Sequence, residues 1–147
     1  MIRQLLAVVA LVASASLADA QSYTWRDTLD AIRQVESGGL PDEGVGARGD
    51  NGNALGPYQI WSAYHFDAAE RDRSLTDYSK CLTSKAYSER VIDAYMGRYA
   101  RASRDRLKKG VGTLADIERV ARIHNGGPRG YKKKATLGYW RKVQEAL

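Results

Sequence analysis

Apolar residues recur at three- and four-residue steps in four separate windows of this chain, the spacing of helices that bury one face. In "TWRDTLDAIRQVES", Trp25, Leu29 and Ile32 share one stripe. Thr24 is the candidate N-cap, Asp27 its capping-box partner, and Gly38-Gly39 the stop. Glu36 falls in the middle of that apolar stripe, where the pattern expects another hydrophobe. Between residues 84 and 108, Tyr87, Val91, Tyr95 and Tyr99 recur every four positions and predict one long amphipathic helix. These tyrosines read as core packing with wet hydroxyls rather than as an aromatic binding stripe. "TLADIERVARIHNGGP" predicts a further helix, with Thr113 and Asp116 as a second capping box and Leu114, Ile117 and Ala121 as its buried face. Asn125-Gly126-Gly127-Pro128 ends it. After the basic loop "RGYKKKAT", Leu137, Trp140, Val143 and Leu147 spell a last helix.

The stretch between residues 40 and 57 holds too little apolar material for a helix. Its Asn51-Gly52 pair is the strongest short hairpin signal and predicts a small β-hairpin. "GPYQIWSAYHFDAAE" then predicts a turn and a short helix that Pro57 prevents from starting earlier. There is no internal repeat, low-complexity linker or heptad run. The expected fold is α+β and helix-dominated, with a small β-hairpin sheet inserted early.

The first twenty residues stand apart from this pattern. Arg3, the short apolar run "LLAVVALVASASLA" and Ala18-Asp19-Ala20 have the layout of a secretory signal peptide, with cleavage expected near Ala20. The run is too short to span a bilayer. Residues 21–147 are then one exported domain, long enough for a real core. The formal net charge of the 147 residues is +6, and removing residues 1–20 takes away one charge of each sign. A basic exported domain suits an anionic partner such as a bacterial cell wall or a lipid surface. Nucleic acid fits the charge but not the export. The single cysteine, Cys81, excludes an internal disulfide, so packing alone must hold the domain. No cofactor or metal site is expected.

Glu36 is the chemical clue. An unpaired carboxylate among apolar neighbours is costly while charged, which favours the protonated form that a general acid needs. The plain alternative is a solvated helix-end side chain turned outward past Gly38. Fourteen positions on, Asp50 opens the predicted hairpin. A helix-end Glu facing a hairpin Asp across a cleft is the two-carboxylate arrangement of glycoside hydrolysis. Asp42 and Glu43 are rivals in the same loop, but no tight turn holds them.

"VESGG", "GDNGNALGPYQI", "ARIHNGGPRG" and "TLGYW" follow one another in the order and spacing of the invertebrate-type lysozymes. The chain resembles that family over roughly residues 27 to 143. The resemblance implies a lysozyme-like domain that hydrolyses the β-1,4 glycosidic bonds of peptidoglycan or a related amino-sugar polymer. The family's catalytic Glu maps onto Glu36 and its catalytic Asp onto Asp50. The chain departs from the family in its cysteines: the family is usually crowded with disulfides, and Gly39, Leu55 and Tyr131 stand at cysteine positions. A sugar cleft uses aromatic surface and amide hydrogen bonds, so Tyr58 and Gln59 are candidate substrate contacts. The alternative is that "YQI" is a buried strand or helix start, the reading taken for Ile60. His124 lies near the apolar face of its helix, either as a satisfied core histidine or as a substrate contact with Asn125 and Gly126. The family is also associated with isopeptide cleavage, which needs a Ser-His pair; no sequence pattern joins His124 to a serine. The expected protein is a secreted or periplasmic muramidase, monomeric, without stable membrane insertion. The competing expectations are a lytic transglycosylase that uses Glu36 alone and a non-catalytic wall-binding relative.

Overall fold

Two helices begin on matching capping boxes; the first carries the candidate acid near its end, and the strands and turns between the two carry the neighbouring Asp50. The structure is a computed structural model that describes residues 21–147; the expected leader, residues 1–20, and its cleavage site lie outside the described residues. Helix α1 (Trp25–Ser37) starts where Thr24 Oγ1 accepts from the Asp27 backbone N–H at 3.1 Å and Asp27 accepts from the Thr24 N–H at 2.8 Å. Its stripe buries Leu29 and Ile32. Three two-residue strands follow, β1 (Arg48–Gly49), β2 (Ala54–Leu55) and β3 (Ile60–Trp61), forming an antiparallel sheet in that order. Arg48 pairs with Leu55 and Gly49 with Ala54, so residues 50–53 form the hairpin loop around Asn51-Gly52. The expected hairpin is therefore present, and β3, read as a turn running into a helix, extends it to three strands.

Helix α2 (Ser62–Arg71), the single turn α3 (Lys80–Thr83) and α4 (Lys85–Tyr99) come next. The long helix expected over 84–108 is two: α4 stops, Ala100 takes φ −140° and ψ 36°, and α5 (Arg101–Lys108) leaves in a new direction. No glycine or proline marks this elbow. Leu107 of α5 is fully buried, and α5 packs on α1 and on α6 (Leu114–Gly126). Across the bend Arg104 reaches Asp93 at 2.9 and 2.7 Å, and Lys108 reaches it at 2.8 Å. Burial of Leu107 and these pairs offset the helical hydrogen bonds that the elbow interrupts. Of the α4 tyrosines, Tyr87 and Tyr95 are core residues, as expected, and Tyr99 packs partly buried against that core. Two of the hydroxyls find protein partners, Tyr87 meeting His65 and the Asp77 N–H and Tyr99 donating to Asp67. Helix α7 (Leu137–Glu145) closes the chain against α1 and α6, burying Trp140 and Val143. Cys81 is fully buried and free, and burial pushes its thiol up to about 12, so it serves as a small hydrophobe.

The capping box of α6 also carries an ion pair whose carboxylate is buried. Asp116, 3% exposed, accepts from the Thr113 N–H at 2.9 Å and pairs with the Arg106 guanidinium of α5. Arg106, and to a lesser degree the Thr113 N–H, holds this carboxyl well below the usual carboxylate range. A carboxyl depressed in the folded state contributes stability above its unfolded value, roughly pH 4, and loses it as pH falls toward the folded one. Asp116→Asn should therefore cost about 1–2 kcal/mol at pH 7, or roughly 5 °C in Tm. Thermal melts should show that gap narrowing below about pH 4; a pH-independent gap would remove the ion pair from the account.

Candidate active site

Glu36 stands at the penultimate position of α1, and the next residue fixes where that helix end lies. Ser37 is buried, and its hydroxyl donates to the Pro57 carbonyl at 2.8 Å. This ties α1 to the turn between β2 and β3. The Glu36 side chain is 18% exposed and lines a cleft of about 290 Å³. It is not the unpaired carboxylate the apolar stripe suggests. The Tyr139 hydroxyl, from α7, donates to Glu36 Oε1 at 2.7 Å, and His124 Nε2 lies 3.5 Å from the same oxygen. Asp50 lines the same cleft from the hairpin loop, and unlike Glu36 it is exposed. Its rivals do not line it: Glu43 pairs with Lys85 at 2.9 Å in a hollow beside α4, and Asp42 is exposed in the turn Pro41–Gly44.

The cleft edge is built from backbone that most side chains avoid. Asp50 and Asn51 take φ 49° and 55°, and Gln59 takes φ 47°. Asp and Asn tolerate this left-handed region, whereas Gln does so at a cost of about 1 kcal/mol. The Gln59 amide offsets that cost by donating to the Gly56 carbonyl at 2.8 Å, while its Oε1 fills the space left by the missing side chain of Gly49. Of the five left-handed non-glycine residues among those described, Asp50 and Gln59 line the cleft, so part of its wall is held against local preference.

Of the expected substrate contacts, Gln59, His124 and Asn125 line the cleft. Tyr58 does not. It is fully buried and its hydroxyl donates to Glu89 at 2.7 Å, on a carboxylate that Arg26 also grips at 2.7 and 2.8 Å. Only its carbonyl reaches toward the site, 3.2 Å from His124 Nε2. The turn at Gln59 sends Tyr58 into the core and leaves Trp61 to face solvent. Gly126 is also outside the lining: its carbonyl accepts from Lys133 Nζ at 2.6 Å and its Cα packs close to the Thr136 methyl. The Gly127 N–H is bonded to the Ile123 carbonyl.

Three aromatic residues complete the site without having been singled out in the sequence. Trp61, 49% exposed, lines the cleft and a neighbouring hollow of about 370 Å³. Tyr64 lines both, stacked on Tyr95 at 3.6 Å between ring centres. Tyr139 holds the acid. Trp61 and Tyr139 stand inside or beside the quoted motifs "GPYQI" and "TLGYW", the one signal that points to them. His124 is held by Tyr64 Oη at 3.3 Å and the Tyr58 carbonyl, and among the described residues no serine bonds to it. Nor, among those residues, does any group of three His, Cys, Asp or Glu side chains suit a metal ion.

Comparison with known proteins agrees with the fold. The Destabilase family model matches residues 26–146. The chain is 40% identical to lysozyme 1 of Crassostrea virginica over 79% of its own length, spanning 56% of that longer protein. It is 36% identical to a lysozyme of Meretrix lusoria, covering 80% of this chain and 85% of the relative. Among solved structures, the inhibitor-bound Meretrix lusoria lysozyme superposes with a TM-score of 0.61 at 32% identity, over 83% of this chain and 89% of that one. The Tapes japonica lysozyme gives 0.62 at 31% identity, over 86% and 93%.

Proposed function

The chain belongs to the invertebrate-type lysozyme, or destabilase, family, and we propose that it is a secreted muramidase that hydrolyses β-1,4 glycosidic bonds of peptidoglycan. The observation that carries this reading is the pairing of a sheltered Glu36 with an exposed Asp50 in one cleft. Two carboxyl groups in unlike settings divide the work of glycoside cleavage. Glu36 donates its proton to the leaving glycosidic oxygen. Asp50, at the wet rim, keeps a negative charge beside the oxocarbenium-like carbon. Glu36 then takes a proton from the incoming water. Gln59 and Asn125 offer amide hydrogen bonds, and Trp61 offers the planar surface first expected of Tyr58.

No helix among the described residues is long and apolar enough to cross a membrane, which is compatible with export. Mass spectrometry of digested peptidoglycan tests the reaction. Hydrolysis leaves reducing muramic-acid ends. A digest of anhydro-muramyl ends would favour the transglycosylase that needs Glu36 alone, and an undigested wall would favour a binding protein.

A further inference from the structure

Both protein groups closest to the candidate acid converge on one of its two oxygens. The Tyr139 hydroxyl, 103 positions away in the chain, donates to Glu36 Oε1 at 2.7 Å, and His124 Nε2 lies 3.5 Å from that atom. Among the described residues Oε2 has no hydrogen-bond partner and belongs to the cleft-lining side chain. We infer that Tyr139 is a positioning residue that anchors Glu36 through Oε1, leaves Oε2 to carry the proton, and stabilises the carboxylate formed when that proton departs. The inference rests on the muramidase reading of Glu36.

In the acid form the proton sits on Oε2, and the Tyr139 O–H donates to the carbonyl-like Oε1. As the glycosidic C–O bond breaks, its electron pair stays on the leaving oxygen, and the proton passes to that oxygen from Oε2. The negative charge then spreads over both Glu36 oxygens. A hydrogen bond to Oε1 strengthens as that charge grows, so it contributes more in the transition state than before it. Tyr139 keeps its own proton throughout, because burial and the neighbouring Glu36 charge push its phenol well above the usual tyrosine value. Buried Trp140 and Val143 fix α7 beneath it, so the donor is in place before substrate arrives.

The other groups facing Glu36 come from three elements. From α6, His124 has its nearer contact with the Tyr58 carbonyl, at 3.2 Å; with Nε2–H directed there, Nδ1 accepts from Tyr64 of α2 at 3.3 Å. From the hairpin, the Asp50 carboxyl lines the same cleft. Tyr139 is thus the hydroxyl donor to this carboxyl among the described residues. Removing it disfavours the carboxylate, so Glu36 keeps its proton to higher pH, and it also leaves the transition-state charge less stabilised.

The test compares kcat and KM across pH for the wild type, Tyr139→Phe, and a protein carrying 3-fluorotyrosine at position 139 alone. Tyr139→Phe should lower kcat about tenfold, leave KM within about twofold, and move the alkaline limb of the kcat profile up by about one pH unit. Fluorotyrosine keeps the shape and is a stronger donor, so its limb should move down; it also serves if the phenylalanine variant does not fold. Opposite displacement of the limb is a result that packing alone does not produce. An unmoved limb in the folded variants, or a loss confined to KM or to the folded fraction, overturns the inference. Glu36→Gln separates the two levels: if it stays active, the muramidase reading fails. If it is inactive while Tyr139→Phe matches the wild type, only the role of Tyr139 fails.

Discussion

Glu36→Gln should lower the rate of cell-wall lysis by about 10³-fold, the middle of the range that one general acid contributes. Glutamine has nearly the size of glutamic acid and keeps an oxygen that can accept the Tyr139 hydrogen bond. What it lacks is a proton acidic enough to pass to the leaving oxygen. Ser37 still holds the helix end to Pro57, so the cleft should keep its shape. The melting temperature should stay within about 2 °C of the wild type. Turbidity clearing of a wall suspension, with reducing ends counted in parallel, gives the rate; circular dichroism confirms the fold. A folded variant within about tenfold of the wild type would mean that some other group delivers the proton.

The second large effect concerns folding. Gly56 sits in the turn after β2 with φ +71°, and a methyl group there would land on the backbone carbonyl of Cys81, with the Leu82 Cα only 3.3 Å away. Its N–H also bonds to the Ala47 carbonyl at 2.8 Å, so the turn cannot move aside freely. Gly56→Ala combines left-handed strain with a clash between two backbones, neither of which has a rotamer to change. The expected cost is about 3–5 kcal/mol, or roughly 10–20 °C in Tm. Gly110→Asn is the comparison: φ is +73° but nothing lies within 4 Å of its added Cβ. Asparagine tolerates that backbone, and the cost there should stay under about 1 kcal/mol. Similar melting temperatures for the two variants would show that α3 yields to Gly56 more easily than its backbone contact suggests.

How much of this was legible along the chain follows from how far apart the interacting groups lie. The helix starts at Thr24 and Thr113 could be read because each capping box closes within four residues. The elbow at Ala100 could not, because its causes, Leu107 packing on another helix and Arg104 reaching back to Asp93, appear only once the helices meet. β3 is two residues long and leaves no period to detect. Glu36 was visible as a polar residue on an apolar stripe. Its partner was not, since Tyr139 lies off the Leu137, Trp140, Val143 stripe and reaches Glu36 only in the folded chain. The exchange of Tyr58 for Trp61 at the cleft turns on one left-handed residue, Gln59, whose conformation no neighbour in the sequence announces.

Cys81, buried and alone in the sequence, also decides how this protein can be made. A domain stitched by many disulfides needs an oxidant and time to sort correct pairings from wrong ones. Here no pairing within the chain exists to form or to mistake. The folded state is reached by collapse of the core and closure of its ion pairs, steps indifferent to glutathione. Refolding therefore calls for no redox shuffle, and thiol reductants have no bridge to cut in the working enzyme.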